Sequence, residues 1–484
     1  MSEAPRRIHF VAIAGTGMGS LAGLLKARGL TVTGSDDHLY PPMSTALAEW
    51  EIPVQTSFRA EHVLESEPDL VVIGNAVRAD NPEARAAIDE GLAYRSFSDA
   101  LYELAIAGRH PIVVTGTHGK TTTTSLVSYL LLATGRDPSL LVGGYAHDFG
   151  GSFREGSGPH FVVEGDEYDT AFFDKTPKFL HYHPRTLIVT SVEFDHADIY
   201  RDLDHVKEAF RTLVARMPED GTIVAALRHE HVRDVVENAP CRVIGYGVDE
   251  AAAPRDEASP TLDWRASALE PGAEGTRFEL HGPGSPARSA LVPLYGAFNV
   301  ENALAAIATA AVVGIDADES LPALEGFHGV KRRLEVRGEV SGVTVVDDFA
   351  HHPTAVEASI EAAKARYPGR RIVAIFEPRT NTSRRALFQQ RYAEAFDAAD
   401  RVIVRTVPDA PIYSATGEVT ERFSADRLAR DLRERGLDAS AHPDVASIVE
   451  DVARSARAGD VALVMSNGDF EGIWQKLLDA LARR

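Results

Sequence analysis

Ile112-Val113-Val114-Thr115-Gly116-Thr117-His118-Gly119-Lys120-Thr121-Thr122-Thr123-Thr124 runs directly into Ser125-Leu126-Val127-Ser128-Tyr129-Leu130-Leu131-Leu132. A β-branched run leads to a turn with two glycines and then to an apolar-periodic segment, so a buried strand hands the chain to a helix N-terminus. Such a junction cradles phosphate. Backbone N–H groups of the turn and the positive end of the helix face an anion, Lys120 adds a point charge, and the hydroxyl of Thr121 or Thr122 suits Mg²⁺. Only Thr117 and His118 separate Gly116 from Gly119, two fewer than the four residues of the usual phosphate loop. An ordinary strand-to-helix turn can also carry Gly-Lys-Thr, but strand, turn, Lys-Thr-Thr and helix in order favour ATP binding.

A chain of 484 residues exceeds one ordinary core and implies about three domains. The 50 Lys and Arg against 71 Asp and Glu give a formal charge of −21, which argues against a general nucleic-acid or acidic-membrane binder. The single Cys241 forms no internal disulfide and reads as a small buried side chain in a reducing compartment. Arg6 and Arg7 precede an apolar run, but the run breaks at once into glycines, so it reads as a first strand and not a signal peptide. No later run is long and apolar enough to span a bilayer. The expected setting is cytoplasmic, and the sequence leaves the oligomeric state open.

Upstream of the phosphate turn, Ile8 to Ala14 forms a strand ending in Gly15-Thr16-Gly17-Met18-Gly19-Ser20, with a helix next and a second strand ending in Gly34-Ser35-Asp36. This βαβ opening suits a dinucleotide or a nucleotide-sugar pyrophosphate, with Ser20 in place of the third glycine. A nicotinamide oxidoreductase is the competing reading, and it leaves Lys120 and the downstream acids without a task. Asp69 to Ile73 forms a further strand, after which Asn75, Ala76 and Val77 either contact the nucleotide-sugar or simply turn. A domain boundary falls near Gly108 to Pro111, giving domains at 1–109, 110–331 and 332–484.

Downstream, apolar runs repeatedly end in acids. His160 to Val163 precedes Glu164, Asp166, Glu167 and Asp169; Arg185 to Val192 precedes Glu193, Asp195, His196 and Asp198. Either set is a solvated turn or a rigid mount for the oxygen ligands an ATP enzyme needs. The stretch from Cys241 to Ala290 reads as hairpins and loops without chemistry. Asn299 and Asn302 share one helical face and either contact a base or ribose or cap. Lys331, Arg332 and Arg333 precede another strand ending in Asp347-Asp348-Phe349-Ala350-His351-His352-Pro353, and Arg379 follows a further strand, where a carboxylate can be held bidentately.

Six of these segments, in order, resemble the Mur ligases, the amide-forming enzymes of bacterial cell-wall precursor synthesis. They are the TGSD that contains Ser35 and Asp36, GTHGKTTTT, VVEGDEYDTAFF, EFDHAD, the Gly296/Asn299/Asn302 spacing and DDFAHHP. The resemblance implies an α/β chain in three domains: a Rossmann-like N-terminal domain, a central P-loop ATPase domain and a Rossmann-like C-terminal domain. It implies an ADP-forming ligase with catalytic Lys120, Glu164 and His196, and Mg²⁺ on Thr121, Glu164 and His196. ATP would contact Gly116, Thr117, His118, Gly119, Lys120, Thr121, Thr122, Asn299, Asn302, Arg333 and Asp348. UDP-N-acetylmuramate would meet Gly15, Thr16, Gly17, Met18, Gly19, Ser35, Asp36, Asn75, Ala76 and Val77. The segments YPPMS and FDKTPKF are similar to the branch that attaches a recycled murein tripeptide, L-Ala-γ-D-Glu-meso-diaminopimelate, rather than L-alanine. Arg379, His351 and His352 would hold that peptide.

Overall fold

Strand Arg7–Val11 lies in the middle of a five-stranded sheet ordered Val54–Thr56, Thr31–Asp36, Arg7–Val11, Leu70–Ile73, Tyr94–Ser96, all parallel. The chain first builds outward in one direction and then returns to build in the other. The reversal opens a crevice beyond the carboxyl ends of Arg7–Val11 and Leu70–Ile73. Gly15 to Gly19 and Asn75 to Val77 follow those two strand ends. The computed structural model describes residues 5–41, 43–249, 261–407, 411–417, 419 and 421–484. Pro42 of the YPPMS segment lies outside them.

The central sheet has ten strands among the described residues. Its parallel heart runs Ser139–Ala146, His160–Gly165, His110–Thr115, Thr186–Val189, Thr222–Ala226, Arg242–Val248. Both faces are covered, which is why these strands read as unbroken apolar runs. Ile112 and Val114 join one core with Leu126, Leu130 and the Ala-rich helix Ala297–Val312, while Val113 joins the other. The expected hairpins after Cys241 are longer than hairpins alone: Trp264–Gly272 continues the sheet in parallel, and Gly275–His281 and Arg288–Val292 close it antiparallel. Residues 250–260 lie outside the described set. Cys241, expected buried, is only partly so and packs at the edge of a core.

The third sheet is ordered Glu335–Val340, Val343–Asp348, Val461–Met465, Ile372–Phe376, Arg401–Arg405, Asp438–His442, parallel except for its first strand. No helix among the described residues is long and apolar enough to cross a membrane. The three units touch. Ser20 and Ser152 hydroxyls meet at 2.6 Å, Arg28 Nε donates to Glu155 at 3.0 Å, and Thr354 Oγ1 donates to Glu193 at 2.7 Å across to the third unit.

The passage into the third sheet is held under backbone constraint. Arg332 and Leu334 take left-handed φ of 60° and 51°, which side-chain-bearing residues adopt rarely. Asp347, fully buried, pairs with Arg332 Nε at 3.2 Å. Burial raises its pKa from 3.8 to about 6, and Arg332 opposes this only in part. Between those values the folded chain keeps a proton that the unfolded chain releases, so stability falls as pH rises through the window and the deficit is complete above it. At about 1.4 kcal/mol per pH unit the charged carboxylate costs roughly 3 kcal/mol. Asp347→Asn is therefore expected to raise the urea midpoint at pH 8 and leave it unchanged at pH 4; equal midpoints at pH 8 would mean that Arg332 compensates fully.

Candidate active site

The turn between strand His110–Thr115 and helix Lys120–Ala133 admits only glycine at two places. Gly116 has φ 134° and a Cβ there would stand 2.0 Å from Thr190 Oγ1; Gly119 has φ 82° and its Cβ would stand 2.6 Å from Asn302 Oδ1. The neighbouring strand end pins the turn. Thr190 Oγ1 donates to the carbonyls of Thr115 at 3.1 Å and His118 at 2.5 Å, His118 N donates to Ser191 Oγ at 2.9 Å, and Glu193 N donates to Thr117 Oγ1 at 2.8 Å. From the other side, Thr123 Oγ1 donates to Asn302 Oδ1 at 3.0 Å and Asn302 Nδ2 to Asn299 Oδ1 at 3.1 Å. The two asparagines thus buttress the phosphate turn from the Ala-rich helix.

Lys120 Nζ donates to Gly116 O at 2.6 Å and to both oxygens of Glu167 at 3.2 and 3.0 Å. Burial disfavours the ammonium, but Glu167 first, then Asp166 and Glu164, outweigh it and raise the pKa. Glu167 is 2% exposed. Although burial works against its charge, Lys120 and His196 hold its pKa down at about 2. Its other oxygen partner is His196 Nε2 at 3.2 Å. His196 has φ 54°, and Asp195 and then Glu167 overcome burial to push its pKa up to about 9.

Glu164 has the opposite character. Its Oε1 accepts from Gly143 N at 2.6 Å and its Oε2 from Thr121 Oγ1 at 3.2 Å, yet burial, reinforced by Asp166, pushes its pKa up to about 7. A buried carboxylate that resists ionisation even with Lys120 and Arg333 acting on it, beside a hydroxyl, is an oxygen donor set short of counter-charge, which fits a hard cation such as Mg²⁺. Thr121 and Glu164 are thus together as expected. His196 stands apart from them, as the protonated partner of Glu167, and would have to lose that proton to become a ligand.

Arg333 Nη2 reaches Thr121 Oγ1 at 3.4 Å, and its guanidinium lies 5.1 Å over the Phe349 ring, so the hinge delivers a cation to the loop. Asp348 accepts from Leu334 N and Ala350 N, both at 2.8 Å, and from Ser359 Oγ at 2.9 Å. It organises the hinge. His351 and His352 diverge: His351 Nε2 lies 3.8 Å from Asp195, whereas His352 stands beside His118 and Glu193. Arg379 is half-exposed and paired with Asp469 at 3.2 Å.

In the first unit, Gly15 precedes helix Thr16–Ala27 without a side-chain cap, and Gly19 packs against Met43. Asn75 and Ala76 are exposed at the strand end, with Asn75 Nδ2 donating to Asp169 O at 3.3 Å, while Val77 is buried. Ser35 and Asp36 face differently from a surface contact. Ser35 is fully buried and donates to Glu83, and Asp36 accepts from Ala14 N at 2.9 Å and His38 N at 3.0 Å, tying down the glycine turn. They support the crevice from below.

Family models agree with this layout: "Mur ligase family, catalytic domain" matches residues 7–109, "Mur ligase middle domain" 114–310, and "Mur ligase, glutamate ligase domain" 332–468. The chain is 38% identical over 479 residues, 99% of each chain, to the UDP-N-acetylmuramate–L-alanyl-γ-D-glutamyl-meso-2,6-diaminoheptandioate ligase of Escherichia coli K12. This chain belongs to the Mur ligase family. Mur ligases are ATP-dependent, ADP-forming amide ligases, and so is this one. Among solved structures, this Mur ligase is similar to a murein peptide ligase of Psychrobacter arcticus, with TM-score 0.72, 33% identity and 99% of each chain covered. It is also similar to the UDP-N-acetylmuramate–alanine ligase of Thermotoga maritima, with TM-score 0.76, 25% identity and 98% of each chain covered.

Sequence reading gives Thr190 and Ser191 no role and takes Glu167 only as one of four acids at a strand end. Glu167 carried a signal, since it stands three residues beyond Glu164 in the same acidic strand end. The two hydroxyls carried only their position at a strand end beside the phosphate turn.

Proposed function

We propose that this Mur ligase joins UDP-N-acetylmuramate to L-Ala-γ-D-Glu-meso-diaminopimelate in the cytoplasm, by way of an acyl phosphate. The observation that carries this reading is the end-to-end identity to the E. coli ligase of that specificity. A carboxylate is a poor acyl electrophile. Transfer of the ATP γ-phosphoryl onto the muramyl carboxylate makes a phosphate leaving group, the peptide amine attacks the acyl carbon, and phosphate departs with the C–O bond pair. Lys120 and the N–H groups of residues 116 to 122 hold the phosphates where charge develops. Thr121 and Glu164 would hold Mg²⁺, which when bound would add positive charge near the phosphates, and His196 would join them only by giving up its proton and its pairing with Glu167. In this reading the nucleotide-sugar lies in the crevice of residues 1–109, and ATP lies on residues 110–331 against Arg333 and Asp348. The peptide lies on residues 332–484 near Arg379, His351 and His352. Alignment of amine and carboxylate by three closing units is worth up to about 7–11 kcal/mol in ideal cases.

The likeness to the Thermotoga alanine ligase favours a second reading, addition of L-alanine to the same sugar. Phosphate release with UDP-N-acetylmuramate, ATP and Mg²⁺ separates the two. We expect the tripeptide to be preferred over L-alanine by at least about 10²-fold in kcat/KM, a difference of roughly 3 kcal/mol in transition-state binding. Preference for alanine would retain the chemistry and overturn the acceptor.

A further inference from the structure

Three side chains from three segments converge beside the phosphate cradle, and the two imidazoles among them leave ring nitrogens unpaired. His118 comes from the turn, Glu193 from the segment after strand Thr186–Val189, and His352 from the residue before helix Pro353–Arg366 of the third unit. His118 Nε2 lies 3.7 Å and His352 Nδ1 3.6 Å from Glu193 Oε2, and one ligand atom from each residue lies within 4.8 Å of the others. Both distances are too long for hydrogen bonds. Among the described residues, His118 Nε2 and both ring nitrogens of His352 are buried without a hydrogen-bond partner. A buried polar atom without a partner is costly, so His118 Nε2 and His352 Nδ1, both turned toward Glu193, call for a missing one.

The spacing identifies the partner's chemistry. Two donors each about 2.0–2.1 Å from one tetrahedral ion stand roughly 3.3–3.5 Å apart, close to the separations observed, whereas a bridging hydrogen bond would draw them to about 2.8 Å. Thr354 Oγ1 donates to Glu193 Oε2 at 2.7 Å and fixes the carboxylate, as partners behind a metal ligand do. The imidazoles are held in place by ring contacts, His118 to His352 at 4.8 Å and Phe388 to His352 at 4.8 Å. A cavity of about 180 Å³ opens on Glu193 and His352 and has room for a water as the remaining ligand. His231 also lines it, with its Nδ1 buried and unpartnered.

We propose that His118, Glu193 and His352 form a binding site for a divalent transition-metal ion of the Zn²⁺ class, separate from the Mg²⁺ position at Thr121 and Glu164. Two imidazoles with one carboxylate suit Zn²⁺ or Co²⁺ and are a poor set for Mg²⁺, which demands oxygen. Because two ligands belong to the central unit and one to the third, the ion ties the third unit to the phosphate turn.

The test is a Zn²⁺ titration of the full chain in millimolar Mg²⁺ against a chromophoric chelator, with Co²⁺ absorption reporting the ligand field. One Zn²⁺ per chain is expected, with visible Co²⁺ bands. Glu193→Gln, His118→Ala and His352→Ala should each weaken binding by about 10²-fold, and His196→Ala should leave it unchanged. Zn²⁺ should raise the Tm of the wild type and not that of Glu193→Gln, which is near-isosteric and decides the matter if a histidine variant fails to fold. No stoichiometric binding above the Mg²⁺ background, equal affinity in Glu193→Gln, or loss on His196→Ala would each overturn the proposal.

Discussion

Lys120→Ala is expected to lower kcat by about 10³-fold while leaving the affinity for UDP-N-acetylmuramate within about twofold. The ammonium is the cation mounted on the phosphate turn itself, 2.6 Å from Gly116 O, and its field from Glu167, Asp166 and Glu164 keeps it charged. Arg333 reaches the same turn only through Thr121, from the hinge, so it cannot take over the position on Lys120's side. The first-unit crevice is built by Gly15 to Gly19 and Asn75 to Val77, none of which Lys120 touches. Phosphate release measures the first expectation and calorimetric titration of the nucleotide-sugar the second. Sugar binding lost in a folded variant would contradict the division of ligands among the three units; turnover within tenfold of wild type would remove Lys120 from the chemistry.

The sheets were legible because burial on both faces forces a simple pattern. Ile112 to Val114 serve two cores at once, so every position is apolar and the strand announces itself, and the same holds for Phe161 to Val163, Leu187 to Val189 and Val345 to Val346. The phosphate turn was legible because Gly116 and Gly119 are required by their φ and by the atoms facing them. Side-chain direction was not. An acid after a strand reads alike whether it meets solvent, a ligand or the chain: Asp36 folds back on Ala14 and His38, Ser35 points inward to Glu83, and Asp348 is spent on the hinge. The edge strands after Cys241 were obscure for the converse reason. One face of Gly275–His281 is exposed, so Arg277 and Glu279 interrupt the apolar pattern that marks the interior.

Glu167→Gln should show what the second glutamate of the acidic strand end does. It is the buried anion shared by two partly buried cations, Lys120 at 3.0 Å and His196 at 3.2 Å, and removing its charge leaves both to face each other. Breaking a buried pair from one side costs about 3–5 kcal/mol, against roughly 0–1 kcal/mol for a surface pair. The Tyr200 hydroxyl bonds the Glu167 carbonyl at 2.7 Å and is unaffected, so the backbone stays in place and the loss is electrostatic. We therefore expect urea unfolding to report a stability lower by about 3–5 kcal/mol and kcat lower by about 10²-fold, since the Lys120 ammonium loses its orienting partner. The two effects are separable with nucleotide. Phosphates of ADP carry the negative charge that glutamine lacks, so they should stabilise the variant more than the wild type, and the nucleotide-induced Tm shift should be larger in Glu167→Gln. An equal or smaller shift would mean that Lys120 does not face the phosphates, and a stability unchanged by the substitution would mean that water already screens the pair.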